Sequence, residues 1–131
     1  MTPRLLLDTH IVIRWLVEPE RLSREQDRIL TQAERRAEPL AVSAVSLVEI
    51  GVIPGNRLRI SVSEILRALE PGAGFQIVPM DLVIAAEIAA MGDSLRDPND
   101  RAIVATARVH GLRLVTSDER IIASKLVPVV E

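Results

Sequence analysis

Residues 5–10 read Leu5-Leu6-Leu7-Asp8-Thr9-His10, and this stretch decides the fold. Three large apolar residues run directly into a carboxylate. A run without polar alternation suits a strand covered on both faces, as in the parallel sheets of α/β proteins. Asp8 falls where that strand, over about 4–7, should end. In open α/β sheets ligands collect at the carboxyl ends of the strands. A short helix is expected next, over about 11–17, because Ile11, Val12, Trp15 and Leu16 recur at helical spacing before Pro19.

Outward from there, strands and helices alternate. Ser23-Arg24-Glu25-Gln26 reads as a capping box opening a helix to about residue 36. Its polar face carries Arg24, Arg28 and Arg35, which we read as a solvated surface. Leu40-Ala41-Val42 is a second strand, and Ser43 caps a helix over 44–53 that the turn Pro54-Gly55-Asn56 ends. Ser61 to Glu64 forms another capping box, leading a helix to about 69. After the loop at 71–74, Phe75 to Val78 is a third strand. Asp81 caps a helix over 82–91 that Gly92 stops, and Asp97-Pro98 opens one over 98–110 that Gly111 stops. Residues 112–115 give a fourth strand, Asp118-Glu119-Arg120 starts a short helix, and 127–130 adds an edge strand kept off the sheet centre by Pro128. The expected fold is α/β: a three-layer α/β/α sandwich with a mostly parallel central sheet, residues 1–131 forming one domain.

Composition narrows the function. The 131 residues are 48% hydrophobic, which predicts a packed globule and excludes a disordered chain. With only Trp15 and Phe75 as aromatic residues, the core must be aliphatic. There is no cysteine, so disulfides, thiolate metal sites and cysteine nucleophiles are excluded. No signal segment or membrane-length apolar run is present, and a cytoplasmic protein is expected. A net charge of −2 argues against gripping nucleic acid over the whole surface, so any such contact must be local.

Four acids carry the functional reading: Asp8, Glu49, Asp100 and Asp118. Asp8 and Asp118 each follow an apolar strand at the same end of a parallel sheet, and each could also cap the helix behind it. Glu49 stands four positions after Val45, directly after Val48 and three before Val52, on an apolar stripe of its helix. A buried glutamate needs a partner, and no lysine or arginine lies within one turn, so a metal ion or a distant arginine must answer it. Asp100 shares a face with Ile103, Val104 and Ala107 and should point inward, whereas Asp97 is the better cap and a possible outer contact to a metal. Thr116 and Ser117 are placed to hold a water or to assist a metal. Such a cluster repels itself unless a cation is bound. Mg²⁺ or Mn²⁺ prefers oxygen ligands, and a metal-activated water is the chemistry of phosphodiester hydrolysis. His10 reads as a surface residue at a helix start and His110 as a structural one at a helix end. Arg14, Arg96 and Arg101 lie near these acids and are the candidate phosphate contacts, or their salt-bridge partners.

Together the opening Leu-Leu-Leu-Asp-Thr-His, the segment Val42 to Ile50, the segment Arg96-Asp97-Pro98-Asn99-Asp100-Arg101 and the run Leu114 to Asp118 resemble the PIN-domain family. The similarity is strongest to the VapC-type toxins of bacterial toxin–antitoxin pairs and covers essentially the whole chain in order. The resemblance implies a Mg²⁺-dependent ribonuclease, with Mn²⁺ as a possible substitute. It also implies a homodimer or toxin–antitoxin hetero-oligomer, silenced by an antitoxin whose C-terminal segment lies over the active site. The family's acidic set falls on Asp8, Glu49, Asp100 and Asp118, with Asp8 and Asp100 as its most consistent metal pair. Departures from the family are Val48 in place of an aromatic residue, Asn99 in place of phenylalanine, Leu95 in place of histidine, and Gly51 to Asn56 in place of a basic stretch. They bear on substrate preference and antitoxin contacts.

Two other readings differ in kind. A catalytically silent PIN-like module would keep the acids for stability or partner binding, and the mean hydropathy of +0.24 suggests an apolar surface that a partner covers. A phospho-receiver domain also places acids at strand ends, but it calls for paired acids after the first strand and a lysine near the last. Here Thr9 follows Asp8, and Lys125 lies in the final short helix.

Overall fold

Leu5–Leu7 (β1) is the middle strand of a five-stranded sheet. The computed structural model describes residues 1–131. The other strands are Leu40–Ser43 (β2), Phe75–Val78 (β3), Arg113–Val115 (β4) and Val129–Val130 (β5). Their order is β3-β2-β1-β4-β5, and every neighbouring pair is parallel. The chain lays down β1, β2 and β3 in one direction, then crosses back to the far side of β1 for β4 and β5. The direction of winding therefore reverses between β1 and β4, which is where open α/β sheets form a crevice. This order also differs from the 2-1-3-4-5 arrangement of receiver-like sheets.

The helices are Thr9–Val17 (α1), Arg24–Arg35 (α2), Ala44–Gly51 (α3), Val62–Ala68 (α4), Leu82–Ala90 (α5), Pro98–His110 (α6) and Glu119–Ser124 (α7), with a single 3₁₀ turn at Pro19–Arg21. Alternating side chains of β1 divide the core. Leu5 and Leu7 pack with Ile11, Leu30, Ile50 and Ile65 from α1 to α4. Leu6 points the other way, joining Leu114, Ile84, Ile103 and Ile121 with α5, α6 and α7. This is the expected three-layer sandwich, and it explains why the strand has no polar position: each of its residues faces a core.

The caps fix where the helices begin. Ser23 and Gln26 form a complete capping box. At Ser61 the hydroxyl accepts from the Glu64 N–H, the forward half of the expected pair. Asp97 Oδ1 accepts from the N–H groups of Asn99 and Asp100, and Gly111 closes α6 at φ +65°. The first helix starts at Thr9, two residues before the sequence pattern indicates, because Asp8 is its cap. The third ends at Gly51, two residues short of expectation, as the chain turns ahead of Pro54. At the sheet edge, the Leu114 N–H donates to the Pro128 carbonyl, so the residue lacking an N–H is used only as an acceptor. No helix is long and apolar enough to cross a membrane.

Leu6 is fully buried in the central strand, whereas Leu82 is 87% exposed. Leu6→Ala is expected to cost about 2–5 kcal/mol in urea denaturation, through lost transfer energy and a cavity. Leu82→Ala should change stability by no more than about 0.5 kcal/mol.

Candidate active site

Asp8 lies one residue beyond β1, yet its backbone N–H still donates to the Val115 carbonyl (3.0 Å), continuing the ladder to β4. The residue is 6% exposed. Oδ1 accepts from the Thr9 N–H (2.8 Å) and Oδ2 from the Thr116 hydroxyl (2.7 Å). The Thr116 oxygen in turn accepts from the Asp118 N–H (3.0 Å). The ends of β1 and β4 are thus laced through one buried hydroxyl. Asp118 caps α7, with Oδ1 accepting from the N–H groups of Arg120 (2.8 Å) and Ile121 (3.3 Å). For both aspartates the capping role and the place at the strand end hold at once.

Glu49 reaches the same region from α3. Its Oε1 accepts from the Thr9 hydroxyl (2.6 Å), and the Thr9 oxygen lies 2.8 Å from the fully buried Ser46 hydroxyl. The stripe read from the sequence needs correction here. Val48 and Val52 are 66% and 75% exposed and face solvent, so Glu49 stands at the margin of an outward apolar strip. The group that answers it within the chain is a hydroxyl, where the sequence suggested an arginine or a metal.

Asp100 sits in the first turn of α6, and Asp97 takes the capping hydrogen bonds there. That leaves the Asp100 carboxylate unclaimed by the helix end. Burial pushes its pKa up from 3.8 to about 6, with the negative charges of Asp97, Asp118, Asp8 and Glu49 adding to the shift. All four sequence-selected acids therefore share one electrostatic neighbourhood. Burial also raises the pKa of Asp8, partly offset by the Thr116 hydroxyl, the Thr9 N–H and the charge of exposed His10. No lysine, arginine or histidine forms an ion pair with any of the four acids. As the side chains lie, no three acids or histidines form a ready-made set of ion ligands. Like charges favour that spread, and a divalent cation would oppose it. The donors are hard carboxylate oxygens, the chemistry that Mg²⁺ and Mn²⁺ accept.

Beside Asp100 a polar cleft of ≈ 440 Å³ opens between the start of α6 and α7, with Arg96, Asp97, Arg120 and Ser124 on its walls. Arg96 and Arg120 form no ion pair. Arg101 is different. Its guanidinium donates to the carbonyls of Gly92 (2.6 Å), Leu95 (2.6 Å) and Ile88 (2.5 Å), so it fastens the end of α5 and does not face the acids. Among the arginines of α2, Arg28 pairs with Glu25, in keeping with a solvated face.

Three supporting residues escaped the sequence reading of the site. Gln26 was legible as part of a capping box, and it is, but it is also fully buried. Its Nε2 donates to the Thr116 carbonyl (3.3 Å) and the Ser117 hydroxyl (2.9 Å), steadying the loop that carries Thr116. Ser117 is occupied in this way. Thr9 and Ser46 are the other two. The one available signal was polarity inside apolar surroundings: every buried polar residue except Thr106 either stands at the carboxyl end of the sheet or bonds to it.

The sequence matches the PIN domain family over residues 5–125. It is 34% identical over 119 residues to Ribonuclease VapC22 of Mycobacterium tuberculosis, covering 89% of this chain and 88% of that protein. A toxin-antitoxin complex from Klebsiella pneumoniae superposes with a TM-score of 0.65 at 25% identity, over 97% of this chain and 96% of the matched chain. VapBC2 from Rickettsia felis, solved bound to a DNA fragment from its promoter, has a TM-score of 0.70 at 15% identity, covering 95% and 96%, and shares the fold.

The raised pKa of Asp100 makes a stability prediction. Between 3.8 and about 6 the folded state holds a proton that the unfolded state releases, so the contribution of this group falls as pH rises through that window. Asp100→Asn removes the loss. In EDTA, its melting temperature should exceed the parent's at about pH 7.5, by a margin that solvent screening of this partly exposed group keeps small, and differ little near pH 4.

Proposed function

Because this chain belongs to the PIN-domain family, we propose that it is a metal-dependent endoribonuclease, the toxin of a toxin–antitoxin pair, with residues 1–131 acting as one domain. The observation that carries the reading is the placement of Asp8 and Asp118 just past the adjacent parallel strands β1 and β4, with Glu49 joined to Asp8 through Thr9 and with Asp100 raised in pKa by burial and by the charges of Asp97, Asp118, Asp8 and Glu49. A resting protein gains nothing from gathering like charges, whereas a cation-dependent enzyme needs them. The similarity to a named ribonuclease over most of the chain supports the same conclusion.

In this reading Asp8, Glu49, Asp100 and Asp118 hold Mg²⁺, or Mn²⁺ in its place. Bound there, such an ion would lower the pKa of a water ligand and neutralise charge on phosphate oxygens. The chain's own residues do the rest. Thr116 and the Thr9 N–H fix Asp8, each taking one of its oxygens and leaving further lone pairs toward the crevice. Asp97 takes the helix-end donors and so frees Asp100. Arg96 and Arg120 border the cleft that runs up to Asp100, where they meet the phosphates next to the scissile one. Because its substrate is cellular RNA, the enzyme works in the cytoplasm.

The exposed apolar strip on α3 supports an antitoxin partner. Val48 and Val52 flank Glu49, so a partner segment seated on them covers an acid of the site. Homodimers and toxin–antitoxin hetero-oligomers are both consistent with the exposed Leu82 and Val83 on α5. The same apolar surface is what a silent binding module would show, and turnover separates the two readings.

The decisive experiment is cleavage of a panel of structured RNAs by the purified protein in Mg²⁺, in Mn²⁺ and in EDTA. Asp8→Asn keeps a good helix cap. It should retain the fold and lose more activity than the roughly 10–100-fold typical of an outer metal contact. Full activity in that variant would overturn the assignment. Arg120→Gln, in an Asp8→Asn background, should weaken RNA binding and reduce the slope of log K against log salt by about 0.7, the loss of one phosphate contact. An unchanged slope would remove Arg120 from the RNA path.

A further inference from the structure

Thr9 touches two of the acids through two different groups. Its backbone N–H donates to Asp8 Oδ1 (2.8 Å), and its hydroxyl donates to Glu49 Oε1 (2.6 Å). The residue is 5% exposed and lies at the start of α1, while Glu49 and Ser46 belong to α3. A threonine hydroxyl carries a single proton. Since that proton goes to Glu49, the 2.8 Å contact between the Thr9 and Ser46 oxygens must be a hydrogen bond from Ser46. The result is a one-way chain, Ser46 to Thr9 to Glu49, that ends on a carboxylate oxygen. Oε1 is then committed, and Oε2 is the oxygen left for another ligand.

We propose that Thr9 is the positioning residue that sets the spacing and orientation of Asp8 and Glu49, with Ser46 locking its hydroxyl. The inference rests on the metal-site reading above and specifies how that site is held. Ser46 has no exposed surface, so its proton finds an acceptor in Thr9 or none in water. The direction of the chain follows from the single Thr9 proton, which Glu49 receives. Asp8 follows β1 and Glu49 comes from the helix after β2, so their separation would otherwise depend on how α1 and α3 pack. The Thr9 residue replaces that dependence with two short hydrogen bonds from a single backbone position. Outer contacts of this kind orient metal ligands and tune affinity.

The test uses the full chain, without RNA, and Mn²⁺ alone as the probe, with free ion counted by electron paramagnetic resonance. Thr9→Val keeps the shape and removes the hydroxyl. It should weaken Mn²⁺ binding by about 10–100-fold. Thr9→Ser restores the hydroxyl and should recover most of that affinity. Both substitutions lower the melting temperature, Ser through the lost methyl and Val through the unpaired Ser46 hydroxyl. A purely structural role therefore moves melting in both variants and Mn²⁺ affinity in neither. Equal Mn²⁺ affinity in the parent and Thr9→Val overturns the proposal. If Thr9→Val does not fold, Ser46→Ala carries the test: a smaller loss of affinity supports the chain, and unchanged affinity overturns it. A parent protein that binds no Mn²⁺ fails differently, for it removes the metal site itself and the role of Thr9 with it.

Discussion

The structure depends on holding a desolvated carboxylate, Asp8, at the end of its central strand among other acids. Burial alone would drive Asp8 toward its protonated form. Two donors work against that, the Thr9 N–H and the Thr116 hydroxyl, and each is anchored from a different part of the chain. Gln26 on α2 holds the Thr116 carbonyl, and the Asp118 N–H holds its hydroxyl oxygen. Ser46 on α3 holds Thr9. The strand order is what makes this possible. With β2 on one side of β1 and β4 on the other, Thr116 after β4 reaches Asp8 directly and Ser46 after β2 reaches it through Thr9. A buried polar seam is costly unless it is fully paired, and here no buried side-chain donor or acceptor is left without a partner.

Much of this was legible in the sequence, because caps and strand ends leave local marks. The apolar run at 5–7, the Ser23 box, the Asp97-Pro98 start and the Gly111 stop each encode structure within a few residues. Asp8 and Asp118 looked ambiguous between helix cap and site, and the ambiguity is physical. In a parallel sheet, the carboxyl end of each strand leads straight to a helix N-terminus, so one side chain can serve both. What escaped were relations between distant segments. Gln26 is tied to Thr116 across 90 positions and Thr9 to Ser46 across 37, and no spacing rule reaches that far. Arg101 misled for the opposite reason. It adjoins Asp100 in sequence, but helix geometry turns its guanidinium back to the carbonyls at the end of α5.

Hydrophobic periodicity has a further limit, which Glu49 exposes. An apolar helix face means only that something covers it. On α3 the buried positions Ser46 and Ile50 pack inside, while Val48, and Val52 just past the helix end, point out. The sequence pattern cannot separate a face that meets the protein's own core from one that meets another chain. This is why the apolar stripe beside Glu49 does not by itself place that stripe inside the protein.

That arrangement links silencing to catalysis on the proposed reading. A glutamate ligand set between two outward valines puts the inhibitor's footing and the enzyme's chemistry on the same two turns of helix. A partner gripping that strip needs no relay through the core to reach the metal ligands, since occupying the strip already crowds Glu49. The electrostatics favour the same outcome: the neighbouring acids raise the pKa of Asp100, and on that reading a cationic side chain from a bound partner would relieve the repulsion as a metal ion would. Metal and inhibitor then compete for one concentration of negative charge. On that reading, the negative charge that would hold the metal is also what an inhibitor would occupy.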